Sequence, residues 1–212
     1  MSMVIAIDGP AGSGKSTIAR RIASELGWYF LNTGSFYRAY TLAQLEKGKD
    51  PLDRDSVLET AATTRITVQN GNICLNGVDV EDKLHTPLVD KYASPVSSDP
   101  RLREIVTGEV RELAGTMNIV TEGRDTTTVI FPNAEYKFYF DASPEVRALR
   151  RLSEQPELNY DEVLHGIIER DRNDMNKSVG ALKIAENAIY LDTTNLTIDA
   201  VCEKVYNAMQ KH

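Results

Sequence analysis

The chain has 212 residues, of which 42% are hydrophobic, and its formal net charge is −7 at pH 7. This length suits one compact domain with room for an inserted subdomain, and the acidic balance argues against a nucleic-acid partner, which needs clustered lysine and arginine. The two cysteines are too few for a disulfide framework or a zinc site, and the lack of a long apolar run argues against a membrane partner.

The first predicted element is a buried strand over residues 3–8, an apolar run that ends at a glycine-rich turn. No basic region precedes this run, so we interpret it as a strand and not as a signal peptide. Together with the scarcity of cysteine, this predicts a cytoplasmic protein in a reducing compartment. A helix is predicted next over residues 15–26, where apolar residues recur at helical spacing and Gly27 follows.

The middle of the chain changes character at residues 65–80. Before this segment, the pattern predicts one strand and two helices, at residues 28–31, 35–47 and 53–62. Within it, apolar and polar residues alternate in three short runs that are separated by Asn70-Gly71 and Asn76-Gly77. Two Asn-Gly turns so close together predict a three-stranded antiparallel meander, which we interpret as an inserted subdomain.

Helical segments follow the meander to about residue 114, interrupted at Pro95 and Pro100. The pattern of parallel strands then resumes, with strands predicted at 118–121, 136–141 and 188–192. Helices are predicted between and after these strands, at 144–154, 160–174 and 197–211. Strands that alternate with helices predict a parallel sheet covered on both faces, which places the chain in the α/β class.

Residues 9–17 fit the pattern G-x-x-x-x-G-K-[ST] between a predicted strand and a predicted helix. Glycines let the backbone curl so that its N–H groups point at phosphate, and the N-terminus of the helix adds favourable partial charge. We expect Lys15 to reach the β- and γ-phosphates of ATP and the Ser16 hydroxyl to ligate Mg²⁺. The candidate ATP-binding residues are Gly9, Pro10, Ala11, Gly12, Ser13, Gly14, Lys15, Ser16 and Thr17. The motif alone does not separate a kinase from an NTPase switch or a motor.

Two further segments could hold the acceptor of a phosphoryl group. The helix after the second strand opens at Thr33 and carries Tyr37 and Arg38 in its first turns, although an ordinary capped helix explains these residues equally well. Arg124 and Asp125 follow the next core strand, at the sheet edge where α/β proteins bind ligands. They suit a guanidinium–phosphate fork and a carboxylate that accepts a hydrogen bond from a base, with a surface ion pair as the alternative.

A third set of charged residues lies on two predicted helices joined by the polar, turn-forming residues 154–159. Helical spacing places the charges of each helix on one face: Arg147, Arg150 and Arg151 on the first, and Arg170, Asp174 and Lys177 on the second. Arginines beside a mobile loop suit a lid over the triphosphate. Solvated helices with ordinary surface ion pairs are the alternative.

The order of these segments resembles that of the bacterial-type cytidylate kinases over almost the full chain. The matching segments are GPAGSGKST at 9–17, LNTGSFYR at 31–38, the insert at 65–80, ASPVSSDPRLRE at 93–104, TEGRD and TVIFPNA within 121–134, RALRRL at 147–152, ERDRNDMNK at 169–177 and AIYLDTTNL at 188–196. The resemblance implies a three-layer α/β P-loop NTPase fold with a parallel core sheet, an inserted NMP-binding subdomain containing the meander, and a helical lid. The implied ranges are a core over 1–32, 115–146 and 178–212, an NMP-binding region over 33–114 and a lid over 147–177.

The same resemblance implies a monomer that transfers the γ-phosphoryl group of ATP to CMP or dCMP. It implies that the cytosine faces Ser94, Arg103 and Asp125. The residues implied around the ribose are Thr33, Tyr37, Arg170 and Asp174, and those implied near the phosphates are Arg38, Arg124 and Lys177. The stretch Thr126-Thr127-Thr128 departs from the pattern of the family, in which a glycine precedes the threonine.

The chemistry of cytosine agrees with this assignment. Cytosine presents an amino donor beside two acceptors, so that Asp125 could accept from the amino group while Arg103 donates to the acceptors. Uracil reverses part of this pattern, and a site built for cytosine would leave a buried acceptor unpaired against it. The sequence therefore predicts discrimination between the two pyrimidines.

The implied transfer needs no general base, because the acceptor phosphate is already anionic. The expected work is alignment and neutralisation of charge. Lys15, Mg²⁺ and the lid arginines Arg150, Arg151 and Arg170 would stabilise the transferring group, while Arg124 would orient the attacking oxygen. Two alternatives stay open: a kinase for another acceptor such as UMP or AMP, and a P-loop switch or sensor without kinase turnover.

Overall fold

The computed structural model describes residues 2–69 and 71–210. The predicted turn residue Asn70 and the predicted helix end at Lys211 lie outside the described residues. The chain divides into two compact units: unit 1 comprises Met1–Leu31 and Ala114–His212, and unit 2 comprises Asn32–Leu113. Unit 2 is therefore an insertion in the sequence of unit 1.

The helices and strands alternate along much of the chain. In chain order they are β1 (Val4–Asp8), α1 (Lys15–Leu26), β2 (Tyr29–Asn32), α2 (Thr33–Glu46), α3 (Arg54–Ala62), β3 (Ile66–Gln69), β4 (Asn72–Leu75), β5 (Val78–Asp79), α4 (Pro87–Val96), α5 (Pro100–Thr116), β6 (Ile119–Gly123), β7 (Tyr136–Asp141), α6 (Pro144–Glu154), α7 (Tyr160–Asn176), β8 (Ile189–Asp192) and α8 (Ile198–Met209). In the part of the chain that the structure describes, none of the helices has the length and apolarity needed to cross a bilayer.

The core of unit 1 is a five-stranded sheet with the strand order β2-β6-β1-β7-β8. Strand β1 runs parallel to β6 and β7, and β7 runs parallel to β8. Every residue of β1 is buried, which explains its apolar run, because a parallel strand is covered on both faces. Helices α1 and α8 share a hydrophobic cluster with Ile5, Ile7, Phe138 and Phe140 of the sheet. The predicted α/β class and parallel core sheet are confirmed.

Unit 2 contains a smaller antiparallel sheet with the strand order β3-β4-β5. Asn76 and Gly77 connect its last two strands, and their φ angles of 50° and 85° are both positive, as a type I′ hairpin turn requires. The predicted three-stranded meander is therefore confirmed. In the same unit, the hydroxyl of buried Tyr40 donates a hydrogen bond of 2.6 Å to Glu109 Oε1, which ties α2 to α5.

The structure differs from the sequence-based expectations at short segments. The predicted interruption at Pro95 is wrong, because Pro95 lies inside α4 and the helix ends one residue later at Val96. A proline so near the end removes only one helical hydrogen bond. A 3₁₀ turn at Glu81–Lys83 and a π-helical turn at Thr126–Ile130 were not predicted, since neither is long enough to show a hydrophobic period.

Substitution of alanine for glycine at two positions of unit 2 should change stability in opposite directions, because the two glycines differ in backbone conformation. A Cβ at Gly108 in α5, or at Gly48 with φ +67°, would have no heavy atom within 4 Å. We expect Gly108→Ala to raise the free energy of unfolding by about 0.5–1 kcal/mol, because alanine loses less backbone entropy in a helix. Gly48→Ala should lower it by about 1 kcal/mol, because left-handed backbone strains alanine. Urea denaturation measures both, and a stabilising Gly48→Ala would contradict the assigned turn.

Candidate functional site

The candidate site lies in unit 1, at the edge of the core sheet where its parallel strands end. Strand β1 leads into residues 9–14, the phosphate loop, and β6 leads into Arg124 and Asp125. Because β1, β6 and β7 are parallel neighbours, these segments leave the sheet at one edge. That edge is where open α/β sheets bind ligands.

Three glycines of the phosphate loop, Gly9, Gly12 and Gly14, have positive φ angles, which glycine adopts without strain. Gly9 has φ +152°, and a Cβ there would lie 1.9 Å from the carbonyl oxygen of Phe140. Gly12 has φ +76°, and its Cβ would lie 3.1 Å from Arg147 Cβ. The loop ends where α1 begins, at Lys15, so the helix N-terminus and the loop together provide the geometry of an anion site.

Lys15 is the buried cation of this loop. Its side chain is 4% exposed, and its Nζ donates a hydrogen bond of 2.7 Å to the carbonyl oxygen of Pro10. Burial lowers the pKa of Lys15 to about 7, and the charge of Arg124 acts in the same direction while Glu122 and Asp8 oppose it. A polyphosphate would supply the negative charge that favours protonation of this lysine.

Ser16 faces a carboxylate that sequence reasoning missed. Its hydroxyl donates a hydrogen bond of 3.1 Å to Glu122 Oε1, from the end of β6. A hydroxyl and a carboxylate are oxygen ligands of the kind that Mg²⁺ prefers, and Mg²⁺ usually takes only one or two carboxylates from a protein. The pair therefore fits a divalent cation. Within the described residues, no group of three or more histidine, cysteine or acidic side chains could hold a metal.

A cavity of about 720 Å³ opens above the phosphate loop. Its polar part includes the loop and four arginines: Arg147, Arg150, Arg151 and Arg170. Its apolar part is lined by Val163, Ile167, Leu196, Ile198 and Val201. A cavity lined by both cationic and apolar side chains fits a ligand that carries both phosphates and a flat base.

Arg147 supports the loop from beneath the cavity. It is 2% exposed, and its guanidinium donates to the carbonyl oxygens of Ala142 at 2.8 Å and Ala11 at 3.1 Å. It also forms a two-pronged ion pair with Asp171, with distances of 3.0 and 2.5 Å. This arginine is fully partnered, so we interpret it as a structural link between α6, α7 and the loop.

Arg150 also lines the cavity. It donates to the carbonyl oxygen of Thr193 at 2.6 Å and to that of Gly12 at 3.4 Å. The side chain of Arg170 is 61% exposed, and Arg151 is exposed as well. The predicted catalytic residues Lys15, Arg150, Arg151 and Arg170 therefore line one cavity, whereas Arg124, which is also predicted to be catalytic, is bound to Asp174.

A second charged cluster surrounds Asp174 of α7, which is 5% exposed. Asp174 accepts hydrogen bonds of 2.8 Å from Arg124 Nε and from Lys177 Nζ, and Arg170 Nε lies 4.0 Å away. Burial acts to raise the pKa of Asp174, but the bonds from Lys177 and Arg124 outweigh it and hold that pKa below its ordinary value. One carboxylate thus gathers three cations, all of them predicted acceptor-binding residues.

Asp125 is 6% exposed and begins the π-helical turn. Its carbonyl oxygen accepts hydrogen bonds from the N–H groups of Val129 and Ile130, at 2.8 and 3.1 Å. The backbone of this predicted base-reading residue is therefore fixed by the turn that follows it.

The remaining predicted acceptor residues lie in unit 2. Arg103 Cζ stands 5.5 Å from the ring centre of Tyr37, and its guanidinium donates to the carbonyl oxygen of Ser97 at 3.2 Å. Arg38 is paired with Asp90 of α4. Two predicted residues lie outside these contacts: Thr33, which is buried at the start of α2, and Ser94, which is exposed on α4.

Sequence reasoning missed several carboxylates and hydroxyls of this site. These are Asp8, Glu122, Thr127, Asp171 and Thr193. Glu122 and Asp171 lie within the charged segments TEGRD and ERDRNDMNK, yet nothing in their spacing shows which cation or hydroxyl they face. Asp8 looked like the last residue of an apolar strand, although a carboxylate at a fully buried position is itself a signal of a specific partner.

The sequence model of the cytidylate kinase family, described as "Cytidylate kinase", matches residues 5–211 of this chain. A cytidylate kinase from Caldanaerobacter subterraneus is 40% identical over 100% of this chain and 96% of its own length. A cytidylate kinase from Clostridium botulinum is also 40% identical, over 100% of this chain and 99% of its own length.

Solved structures share the fold at much lower identity. A shikimate kinase from Bacteroides thetaiotaomicron has a TM-score of 0.51 at 13% identity and covers 98% of each chain. An uncharacterized protein from Eubacterium ventriosum has a TM-score of 0.57 at 9% identity, with 100% of each chain covered. These two likenesses concern the fold alone.

Proposed function

The chain belongs to the cytidylate kinase family, and from this premise we propose that it transfers the γ-phosphoryl group of ATP to CMP or dCMP. The products are ADP and CDP or dCDP. The observation that carries the proposal is the cavity of about 720 Å³ above a complete phosphate loop, lined by four arginines, in a chain that matches the family over 5–211. The full-length relatives at 40% identity support the same acceptor.

The donor side of the reaction falls to the phosphate loop. We propose that residues 9–17 bind the phosphates of ATP and that Lys15 reaches its β- and γ-phosphates. Lys15 now donates to the Pro10 carbonyl, so binding exchanges a neutral partner for an anionic one. The apolar side chains around Val163 and Ile167 in the same cavity suit the adenine base.

We propose Mg²⁺ as the divalent cation, held by the Ser16 hydroxyl with Glu122 beside it. Their separation of 3.1 Å supports this pairing, because both are oxygen ligands. When bound, Mg²⁺ supplies charge neutralisation at the phosphates. The protein's own part is to hold the loop, Lys15 and the hydroxyl in place.

The family likeness carries over acceptor-binding residues in each unit, and each set is considered by itself. In unit 1, Arg124 and Lys177 suit the acceptor phosphate, Arg170 and Asp174 suit the ribose, and Asp125 suits the cytosine amino group. In unit 2, the residues carried over by the family likeness are Thr33, Tyr37, Arg38, Ser94 and Arg103. The cation–π contact between Arg103 and the ring of Tyr37 supports this set, since it brings two of its members together.

Catalysis then consists of alignment and charge neutralisation. Lys15 and the cavity arginines Arg150, Arg151 and Arg170 act on the charge of the transferring group, and Arg124 orients the attacking oxygen. The exposed Arg151 and Arg170 belong to residues 147–177, for which we propose a lid that closes over ATP and excludes water. We extend the proposal to a monomer, as the family resemblance implies, and to a cytoplasmic protein, as the scarcity of cysteine predicts.

The acceptor is tested by a panel. ADP release from ATP and Mg²⁺ is measured with CMP, dCMP, UMP and AMP in parallel, with no acceptor as one control and Lys15→Met as the matched inactive variant. We expect strong release with CMP and dCMP, and at least about ten-fold less with UMP or AMP, because a site paired to cytosine leaves a buried group unpaired against the others. Chelation of the divalent cation should stop release.

The same panel separates the alternatives. Preferred release with UMP or AMP would contradict the assigned acceptor and leave the kinase mechanism standing. Release without any acceptor, or none with any nucleotide, would replace the proposal with a P-loop switch or sensor.

The lowered pKa of Lys15 predicts that binding of ATP is coupled to proton uptake by this lysine. At about pH 8 the lysine of the free protein is mostly neutral, since its pKa is about 7, and bound polyphosphate raises that pKa. Binding of a non-hydrolysable ATP analogue should therefore take up part of one proton at about pH 8, and the Lys15 contribution should vanish at about pH 6. Calorimetry in buffers of different ionisation enthalpy measures this uptake. Equal uptake by Lys15→Met would contradict the assignment.

A further inference from the structure

Asp8 is a buried carboxylate to which the proposed mechanism assigns no step. It is 0% exposed and ends β1, directly before Gly9 of the phosphate loop. Its Oδ1 accepts a hydrogen bond of 2.9 Å from the N–H of Thr126. Its Oδ2 accepts two more, at 2.7 Å from the N–H and at 2.6 Å from the hydroxyl of Thr127. A carboxylate so buried and so fully paired fixes its donors strongly.

These bonds fix the two-residue segment Arg124–Asp125 at both of its ends. On one side, Gly123 is the sheet partner of Asp8 in the parallel register of β1 and β6. On the other side, Thr126 is bound to the Asp8 carboxylate. The same residue that starts the phosphate loop therefore holds both flanks of the segment that carries the proposed acceptor-orienting arginine.

The hydroxyl of Thr127 is the distinctive part of this arrangement. Thr127 is 1% exposed, so its hydroxyl has no access to solvent, and it donates its hydrogen bond to Asp8. The neighbouring hydroxyls of Thr121, Thr126 and Thr128 are buried without a hydrogen-bond partner among the described residues. Of these four threonines, Thr127 alone has its hydroxyl engaged in this way.

We propose that Asp8 and Thr127 form a positioning clamp, which sets Arg124 and Asp125 at a fixed place relative to the phosphate loop. The clamp touches neither substrate. It aligns the acceptor with the γ-phosphate, and alignment is the main work of a phosphoryl transfer without a general base. This inference rests on the proposed function, because it concerns the acceptor of that reaction.

The test compares isosteric variants of the whole chain. Thr127→Val removes the hydroxyl and keeps the backbone bond, Thr127→Ser keeps the hydroxyl, and Thr121→Val removes a buried hydroxyl that has no partner. We measure kcat, the KM for CMP, the KM for ATP and the melting temperature of each. The KM values separate a positioning effect from a loss of folded protein.

We expect Thr127→Val to lower kcat/KM for CMP by about ten-fold or more, as the loss of one hydrogen bond to a charged group implies. The KM for ATP should stay within about two-fold, because the phosphate loop itself is unchanged. Thr127→Ser should restore the value for CMP, and Thr121→Val should match the wild type. Amide exchange of residues 124–126 should speed up in Thr127→Val and not in Thr121→Val.

Four results would overturn the clamp. The first is a Thr127→Val protein that melts earlier yet keeps wild-type kinetics, which makes the bond structural only. The second is an equal loss for ATP and CMP in Thr127→Val, and the third is a Thr127→Ser variant as impaired as Thr127→Val. The fourth is a wild-type chain that phosphorylates neither CMP nor dCMP. This last result removes the proposed function together with the clamp, whereas the first three remove the clamp alone.

Discussion

The carboxyl end of β1 constrains the site of unit 1. This strand pairs in parallel with β6 on one side and β7 on the other, so the segments that follow the three strands leave the sheet at one edge. Its last residue, Asp8, is held by the turn after β6, and a Cβ at the next residue, Gly9, would strike the Phe140 carbonyl of β7. The phosphate loop is therefore fixed from both neighbouring strands at its first residue.

Positive charge is concentrated at this edge in a chain whose net charge is −7. Lys15 is buried against a carbonyl oxygen and not against a carboxylate, so its side chain is held in place without a paired anion of the protein. Arg147, by contrast, is paired with Asp171 and supports the loop. Arg147 thus has a structural role with an anionic partner in the protein, whereas Lys15 has none and is available to an anionic ligand. This difference favours binding of a polyphosphate at Lys15.

Much of the fold could be predicted, because its signals are local. The run before Gly9, the phosphate loop and α1 follow from residues adjacent in sequence, and the Asn76-Gly77 turn follows from its own chemistry. The partners of the charged residues could not be predicted in the same way. Helical spacing places Lys177 beside Asp174, but their link to Arg124 joins segments 50 residues apart, and the Ser16–Glu122 bond depends on the register of β1 and β6. The spacing of hydrophobic residues predicts helices and strands, but it predicts neither the register of paired strands nor which distant side chains meet.

The fate of the γ-phosphoryl group tests the central claim, that this edge aligns a donor phosphate with an acceptor phosphate. The measurement follows ATP labelled in its γ-phosphate, incubated with CMP, Mg²⁺ and the intact chain, and separates the products. The account predicts label in the β-phosphate of CDP in equal amount to the ADP formed. Label released mainly as free phosphate, with CDP unlabelled, would contradict it, because it would mean that water and not an aligned acceptor receives the group.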